Sequence, residues 1–157
     1  RDIGAVLVPS GGSDSVKHWH ALNILHELDK PFYVVQDSDK PSEDARSPNE
    51  QPLLDMDLRP GSDFWLLRKR TIENYIDCEY LRSISEDESL TIETYTNVKE
   101  ITRSHPAASA LGGKRVCENH FERQSTEQLR RAFRKPDGSD EFVEIFERIK
   151  EKTTQSG

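Results

Sequence analysis

The sequence predicts an α/β fold with mainly parallel strands, because apolar strand-like segments flank a helix-like segment near the start of the chain. Gly4–Pro9 and Phe32–Asp37 are short, continuous apolar runs of the kind found in buried strands. Between them, Ser15–Lys30 spaces its apolar residues near the helical period. A strand, a helix and a strand within ~35 residues indicate a βαβ unit, in which the two strands are parallel.

The rest of the chain continues with one more strand and then becomes mostly helical. Ser38–Ser62 is a long polar loop with a short helix expected around Gln51–Asp57, and Asp63–Arg68 is a third apolar strand. The predicted helices after it run from Thr71 to about Ser83, through 90–103, from about Val116 to Arg134, and from Asp140 to Lys152. We therefore predict a core over residues 1–85 and a helical C-terminal extension over 86–157.

Composition excludes several classes of protein. The 157 residues suffice for one domain with a real core, and the net charge of −7 argues against a general nucleic-acid coat protein, which would carry a basic surface. A nuclease remains compatible, since its basic residues can cluster around an acidic metal site. The two cysteines suggest no disulfide framework and favour a reducing, cytoplasmic setting, and no apolar run reaches the ~18 residues of a membrane span.

Two acids follow the second predicted strand. Asp37 and Asp39 are spaced so that, in extended backbone, both carboxylates point to the same side. Two carboxylates held that close repel unless a cation lies between them, and Mg²⁺ or Mn²⁺ prefers such oxygen ligands. The alternative is that Asp-Ser-Asp only turns the chain after a strand.

A basic cluster follows the third strand. Arg68, Lys69 and Arg70 stand at its end, and Glu73 lies in the first turn of the next predicted helix. The three cations are candidates for neutralising phosphates, and Glu73 for holding or orienting a metal. The alternative is a solvated charge cluster in which Glu73 interacts with the helix dipole.

Two glycine pairs are further candidates for phosphate contacts. Gly11 and Gly12 form a turn between the first strand and the first helix, where backbone amides can hold an anion. Lys114 follows Gly112-Gly113 on a loop and could stabilise charge that develops on a phosphate. Ordinary turn and surface-loop roles are the alternatives for both.

The order of these motifs resembles the Toprim domain of OLD-family (overcoming lysogenization defect) ATPase–nucleases. The most specific likeness is LLRKRTIENYI at Leu66–Ile76, and the next is VVQDSDK at Val34–Lys40. The resemblance covers residues 1–80 well and the helical remainder only loosely. It implies a Toprim-like, Rossmann-like sheet flanked by helices.

The resemblance also implies a function and a set of site residues. It implies two-metal hydrolysis of DNA phosphodiesters with Mg²⁺ or Mn²⁺. Asp37 and Asp39 would be metal ligands, Glu73 metal-linked, Lys114 the later catalytic lysine, and Gly11 and Gly12 the turn before the first helix. The implied partners are DNA and an N-terminal ATPase domain of the same polypeptide. Homodimerisation of the full-length protein and a role in phage defence follow from the family alone.

One feature of the family is missing from this sequence. Toprim domains open with a strand that ends in a catalytic glutamate, whereas the first glutamate here, Glu27, lies inside the first predicted helix. We expect the sequence to begin after that motif, in which case the piece lacks a metal ligand and is inactive alone.

Two other functions stay open on the sequence. The first is a non-catalytic Toprim-like module for interaction or dimerisation. The second is a HAD-like phosphatase, with Asp37 as nucleophile and Asp39 as acid/base. That family expects Thr or Val two residues after the second acid, where this chain has Pro41.

Overall fold

The computed structural model describes residues 31–85, 87–98, 100–101 and 120–154. The first predicted strand and helix, with Gly11 and Gly12, lie outside these residues, as does Lys114. The elements in the described part, in chain order, are β1 (Val34–Gln36), α1 (Glu50–Leu54), β2 (Phe64–Leu66), a 3₁₀ helix (Ile72–Tyr75), α2 (Cys78–Ser85), α3 (Thr126–Phe133) and α4 (Glu141–Thr154).

The second and third predicted strands form a parallel pair. Val34 lies opposite Phe64, and Gln36 lies opposite Leu66. The short helix α1 falls between them in the chain, close to its predicted position. Parallel strands require such a crossover connection. Mixed helices and a parallel strand pair confirm the coarse α/β class within the part of the chain that is described.

The described residues divide into two compact units, each with its own apolar cluster. One comprises residues 31–36, 49–66 and 142–154, and its buried cluster is Leu53, Leu58 and Phe64. The other comprises 37–48, 67–85, 87–98, 100–101 and 120–141. Its buried cluster is Ile76, Tyr80, Leu81, Leu90, Ile92 and Val98. The boundary predicted at residue 85 falls inside the second unit.

The helix predicted from Thr71 to Ser83 is two helices. The 3₁₀ helix ends at Tyr75, and Ile76 has extended backbone (ψ 129°) before α2 begins at Cys78. Asp77 acts as the N-cap of α2, because its Oδ1 accepts the backbone N–H groups of Glu79 (3.0 Å) and Tyr80 (3.1 Å). The continuous-helix prediction is therefore wrong at these two residues.

Two later helix predictions also need correction. Residues 90–97 are not helical, and helical residues begin only at Val98. The helix predicted over 116–134 is interrupted, because α3 starts afresh at Thr126. Ser125 and Gln128 form a capping box there, in which each side chain bonds the other's backbone N–H.

The predicted C-terminal helix is confirmed as α4, although its apolar residues are buried unequally. Ile145 is buried, whereas Val143 and Phe146 are 57% and 60% exposed. None of the described helices combines the length and apolar character needed to cross a membrane.

Candidate functional site

The loop after β1 is joined to the basic segment after β2 through Ser38. Ser38 is buried, and its Oγ donates to the backbone carbonyl of Lys69 at 2.9 Å. The backbone N–H of Asp39 donates to the carbonyl of Arg70 at 2.8 Å, and Ser47 Oγ donates to the carbonyl of Ser38. The two motifs that carry the sequence prediction therefore lie side by side, in one unit.

Asp37 makes the most direct link between the two motifs. Its Oδ1 accepts the backbone N–H of Ile72 at 2.8 Å, at the first residue of the 3₁₀ helix. The N–H groups of a first helical turn have no partner within the helix, so the Asp37 carboxylate satisfies one of them. The carboxylate of Asp37 is thus held at the backbone of Ile72, the residue that precedes Glu73 in the chain.

Asp39 does not continue the extended backbone of the strand. Its φ is +51°, in the left-handed region that Asp and Asn tolerate better than most residues. The prediction that both carboxylates point to the same side assumed extended backbone at Asp39. That assumption is wrong, because side chains alternate only along extended residues. The position of Asp39 is set by its backbone bond to Arg70 instead.

The 3₁₀ helix owes its start to Thr71 and Asn74. The side-chain oxygen of Asn74 accepts from the Thr71 backbone N–H (3.0 Å) and hydroxyl (2.8 Å). The Asn74 amide nitrogen donates to the carbonyls of Glu93 (2.8 Å) and Thr96 (3.0 Å). Asn74 thus fixes residues 93–96 against the motif. Glu73 lies in the first turn of this 3₁₀ helix.

The three cations have different surroundings. Arg68 is held by Glu141, a fully buried residue, whose Oε1 accepts the Arg68 backbone N–H at 2.7 Å and whose Oε2 lies 3.8 Å from Arg68 Nε. Its Nη2 donates to the carbonyl of Arg134 at 3.4 Å. Arg70 donates through its backbone N–H to the carbonyl of Thr94 (2.9 Å) and through Nη1 to that of Tyr95 (3.5 Å).

Lys69 lies over the ring of Tyr75. Its Nζ is 4.8 Å from the ring centroid and donates to the carbonyl of Asn74 at 2.9 Å. The Tyr75 hydroxyl accepts the Lys69 backbone N–H at 3.0 Å and donates to Glu141. Burial, reinforced by the charge of Arg68, lowers the pKa of Lys69 to about 8, although Cys78, Glu141 and Asp77 oppose the shift. Burial and the Glu141 charge raise the pKa of Tyr75, which keeps it a hydrogen-bond donor.

A surface groove opens beside Lys69. Its volume is about 740 Å³. Its lining residues are Pro41, Lys69, Ile92, Glu93, Thr94, Tyr95 and Thr96. We call it the 92–96 groove. Its size is within the ~300–1,000 Å³ typical of ligand sites. The sequence did not reveal it, because residues 90–97 were expected to be helical.

The candidate acids and cations all belong to the second unit, namely Asp37, Asp39, Arg68, Lys69, Arg70 and Glu73. Gly11, Gly12 and Lys114 lie outside the described residues. Within residues 31–85, 87–98, 100–101 and 120–154, no three or more His, Cys, Asp or Glu side chains are grouped as a metal site. Sequence reasoning missed three positioning residues, namely Ser38, Asn74 and Glu141. Only Asn74 had a local signal, since Thr-x-x-Asn resembles a capping box.

Comparisons with protein-family models, curated proteins and solved structures gave no match to this chain.

Proposed function

We propose that this chain is a metal-dependent DNA endonuclease domain of the Toprim type, part of an OLD-like ATPase–nuclease. The observation that carries the proposal is the hydrogen bond from the Ile72 backbone N–H to the Asp37 carboxylate. It joins the Asp-x-Asp loop to the Ile-Glu-Asn-Tyr segment, which are the two motifs of the family resemblance.

The donor chemistry of the site fits a hard divalent ion. Asp37, Asp39 and Glu73 offer carboxylate oxygens, which Mg²⁺ and Mn²⁺ prefer. A carboxylate has about four lone-pair positions, so accepting the Ile72 N–H is compatible with binding a cation as well. Asp37 and Asp39 would be the principal ligands, and Glu73 would complete or orient the set.

The reaction is hydrolysis of a phosphodiester by in-line attack of water. When bound, the ions supply a water of lowered pKa and a counter-charge for the leaving oxygen. The role of the chain is to hold Asp37 in one orientation through Ile72 and to place cationic groups next to the phosphate. Attack forms one P–O bond and breaks another, and the proton lost by the water ends on the released alcohol.

The proposal is tested by Mn²⁺ and Mg²⁺ titration calorimetry on three Asp→Asn variants. Asp37→Asn and Asp39→Asn remove one candidate ligand charge each. Asp57→Asn is the matched control for Asp39, because Asp57 also has a left-handed backbone (φ +60°) but is an exposed residue of the other unit. We expect metal affinity to fall at least about tenfold in both site variants and to be unchanged in the control.

Cleavage is measured in parallel with supercoiled plasmid. The substrate is offered to the chain itself and to the longer polypeptide, with an ATPase region, that the resemblance implies. Nicking that requires Mn²⁺ or Mg²⁺ and disappears in Asp37→Asn is the expected result. Unchanged metal affinity in Asp37→Asn and Asp39→Asn would reject the assignment, and metal binding without any cleavage would favour the non-catalytic Toprim-like module.

A further inference from the structure

We propose that the 92–96 groove holds one strand of the nucleic-acid substrate next to the cleavage point, with the Lys69 ammonium as its phosphate contact. This inference rests on the proposed nuclease function and adds a binding site for the strand. It also separates Lys69 from Arg68 and Arg70, which the sequence alone treats as equivalent.

Of the three cations, Lys69 lines the groove. The Arg68 side chain is directed to buried Glu141 and to the Arg134 carbonyl, and Arg70 Nη1 donates to the Tyr95 carbonyl. An ammonium has three N–H donors, and one of those of Lys69 bonds the Asn74 carbonyl. The Tyr75 ring and that carbonyl therefore hold Nζ in place while donors remain for a phosphate oxygen.

The groove is close in the chain to the candidate metal-binding acids. Pro41, a groove residue, follows Asp39 by two positions, and Ser38 Oγ is bonded to the Lys69 carbonyl. The groove and the candidate metal ligands are thus both formed in part by the loop after β1 and the basic segment after β2. A nucleic-acid strand whose phosphate lies at Asp37 and Asp39 would continue along these two segments into the groove.

The walls of the groove combine polar and aromatic side chains. Thr94 and Thr96 offer polar groups, and Tyr95 offers an aromatic ring of the kind on which nucleic-acid bases stack. A cation, hydroxyls and an aromatic ring suit single-stranded nucleic acid. Glu93 also lines the groove. Burial and the charges of Glu43 and Asp44 raise the pKa of Tyr95, whereas the charge of Arg68 lowers it. These acids oppose general polyanion binding, so Lys69 carries the phosphate contact.

The test is binding of a fluorescein-labelled dT12 oligonucleotide, measured by fluorescence anisotropy in Ca²⁺ at pH 7. Lys69→Met removes the cation and retains most of the side-chain volume. Lys150→Met is the matched control, because Lys150 is an exposed residue of α4 paired with Glu147. We expect affinity to fall about tenfold in Lys69→Met, as for loss of one charge-assisted hydrogen bond, and to stay unchanged in the control.

A second variant, Lys69→Arg, gives a readout that a purely structural role would not affect. The Lys69 Nζ lies over the Tyr75 ring, and the charged or titratable groups that affect its pKa are Arg68, Asp77, Cys78 and Glu141, with Glu93 also lining the groove. With a pKa of about 8, Lys69 loses its charge as pH rises, so wild-type affinity should fall several-fold between pH 7 and pH 9. Arginine stays charged, so Lys69→Arg should bind almost equally at both values.

The outcomes separate this inference from the proposed function. Loss of oligonucleotide binding in Lys69→Met with unchanged Mn²⁺ affinity, together with a flat pH profile in Lys69→Arg, supports the groove site. Wild-type oligonucleotide affinity in Lys69→Met, or the same pH profile in Lys69→Arg as in wild type, overturns it and leaves the nuclease proposal intact. Absence of both Mn²⁺ and oligonucleotide binding in the wild-type chain overturns both.

Discussion

Asn74 uses all four of its side-chain hydrogen-bonding positions. Its oxygen accepts twice from Thr71, and its amide donates to two carbonyls of residues 93–96. The residue is 1% exposed, so water cannot replace these bonds. Asn74 therefore shapes both the start of the 3₁₀ helix and one wall of the 92–96 groove.

We expect Asn74→Ala to lower the free energy of unfolding by about 2–4 kcal/mol, because it leaves several buried polar groups without partners. Urea denaturation measures the change. Gln51→Ala is the control, since it removes an amide with one exposed hydrogen bond to Asp55 and should cost less than about 1 kcal/mol. Equal losses in the two variants would contradict the role assigned to Asn74.

Glu141 and Tyr75 illustrate how a buried charge can position a functional segment. The Glu141 carboxylate is fully buried and receives the Arg68 N–H and the Tyr75 hydroxyl, with the Arg68 guanidinium nearby. A buried carboxylate is tolerated only with such partners. Its contacts fix the backbone at Arg68 and, through Tyr75, at Lys69.

Short polar side chains decide where the helices of this chain begin. Asp77 caps α2, and Ser125 with Gln128 caps α3. In both places apolar periodicity alone predicted a helix running through the cap. The capped backbone N–H groups are satisfied by side chains instead of by carbonyls of a preceding turn, so the helix starts there.

α4 is tied to the residue before β2 by an ion pair between Lys152 and Asp63. The Asp63 side chain is 12% exposed, and it also accepts from the Arg59 backbone and guanidinium. Burial acts to raise the pKa of Asp63, but the hydrogen bonds from Lys152 and Arg59 outweigh it and lower the pKa to about 2. The carboxyl therefore binds protons more weakly in the folded chain than in the unfolded chain.

This pKa shift predicts an acid-dependent stability. A carboxyl with a lowered folded-state pKa stabilises the fold above the unfolded value near 4, and the contribution is lost as pH falls towards about 2. We expect Asp63→Asn to cost about 1–2 kcal/mol at pH 6 and almost nothing near pH 2. Urea denaturation from pH 2 to 6 tests this, with Glu147→Gln, an exposed partner of Lys150, as control. If Asp63→Asn lowers the free energy of unfolding equally at all pH values, the pKa of Asp63 is not lowered in the folded chain.

At the scale of the whole molecule, net charge sets the conditions for binding DNA. With 29 acidic and 22 basic side chains, the chain carries −7 and repels a polyanion at long range. Lys69 lines the 92–96 groove together with Glu93, and it lies in the same unit as the candidate metal-binding acids. Binding of a phosphate there would therefore depend on neutralisation of those acids.

We accordingly expect oligonucleotide affinity to rise about fivefold when Ca²⁺ or Mn²⁺ replaces EDTA at constant ionic strength, since removing one close repulsion between like charges in water is worth about 1 kcal/mol. The affinity of most basic nucleic-acid-binding proteins falls when divalent ions are added, because the ions compete for the phosphates. Fluorescence anisotropy with and without EDTA makes the comparison. Equal or weaker binding with the divalent ion would contradict a metal-dependent mode of DNA binding.

The sequence by itself determined the coarse α/β class, the positions of the strands β1 and β2, the short helix α1 and the amphipathic helix α4. Each of these elements depends on a pattern of apolar residues contained within its own short segment of sequence. It also singled out Asp37, Asp39, Glu73 and the basic segment as candidates. The nuclease function implied by the family resemblance stays a prediction.

Only the tertiary structure decided how those candidates are arranged. Ser38 meets Lys69 across 31 residues, and Glu141 meets Arg68 across 73. The left-handed backbone of Asp39 and the separation of Lys69 from Arg68 follow from such contacts. No local pattern encodes them, because buried polar groups choose their hydrogen-bond partners among all segments that the fold brings together.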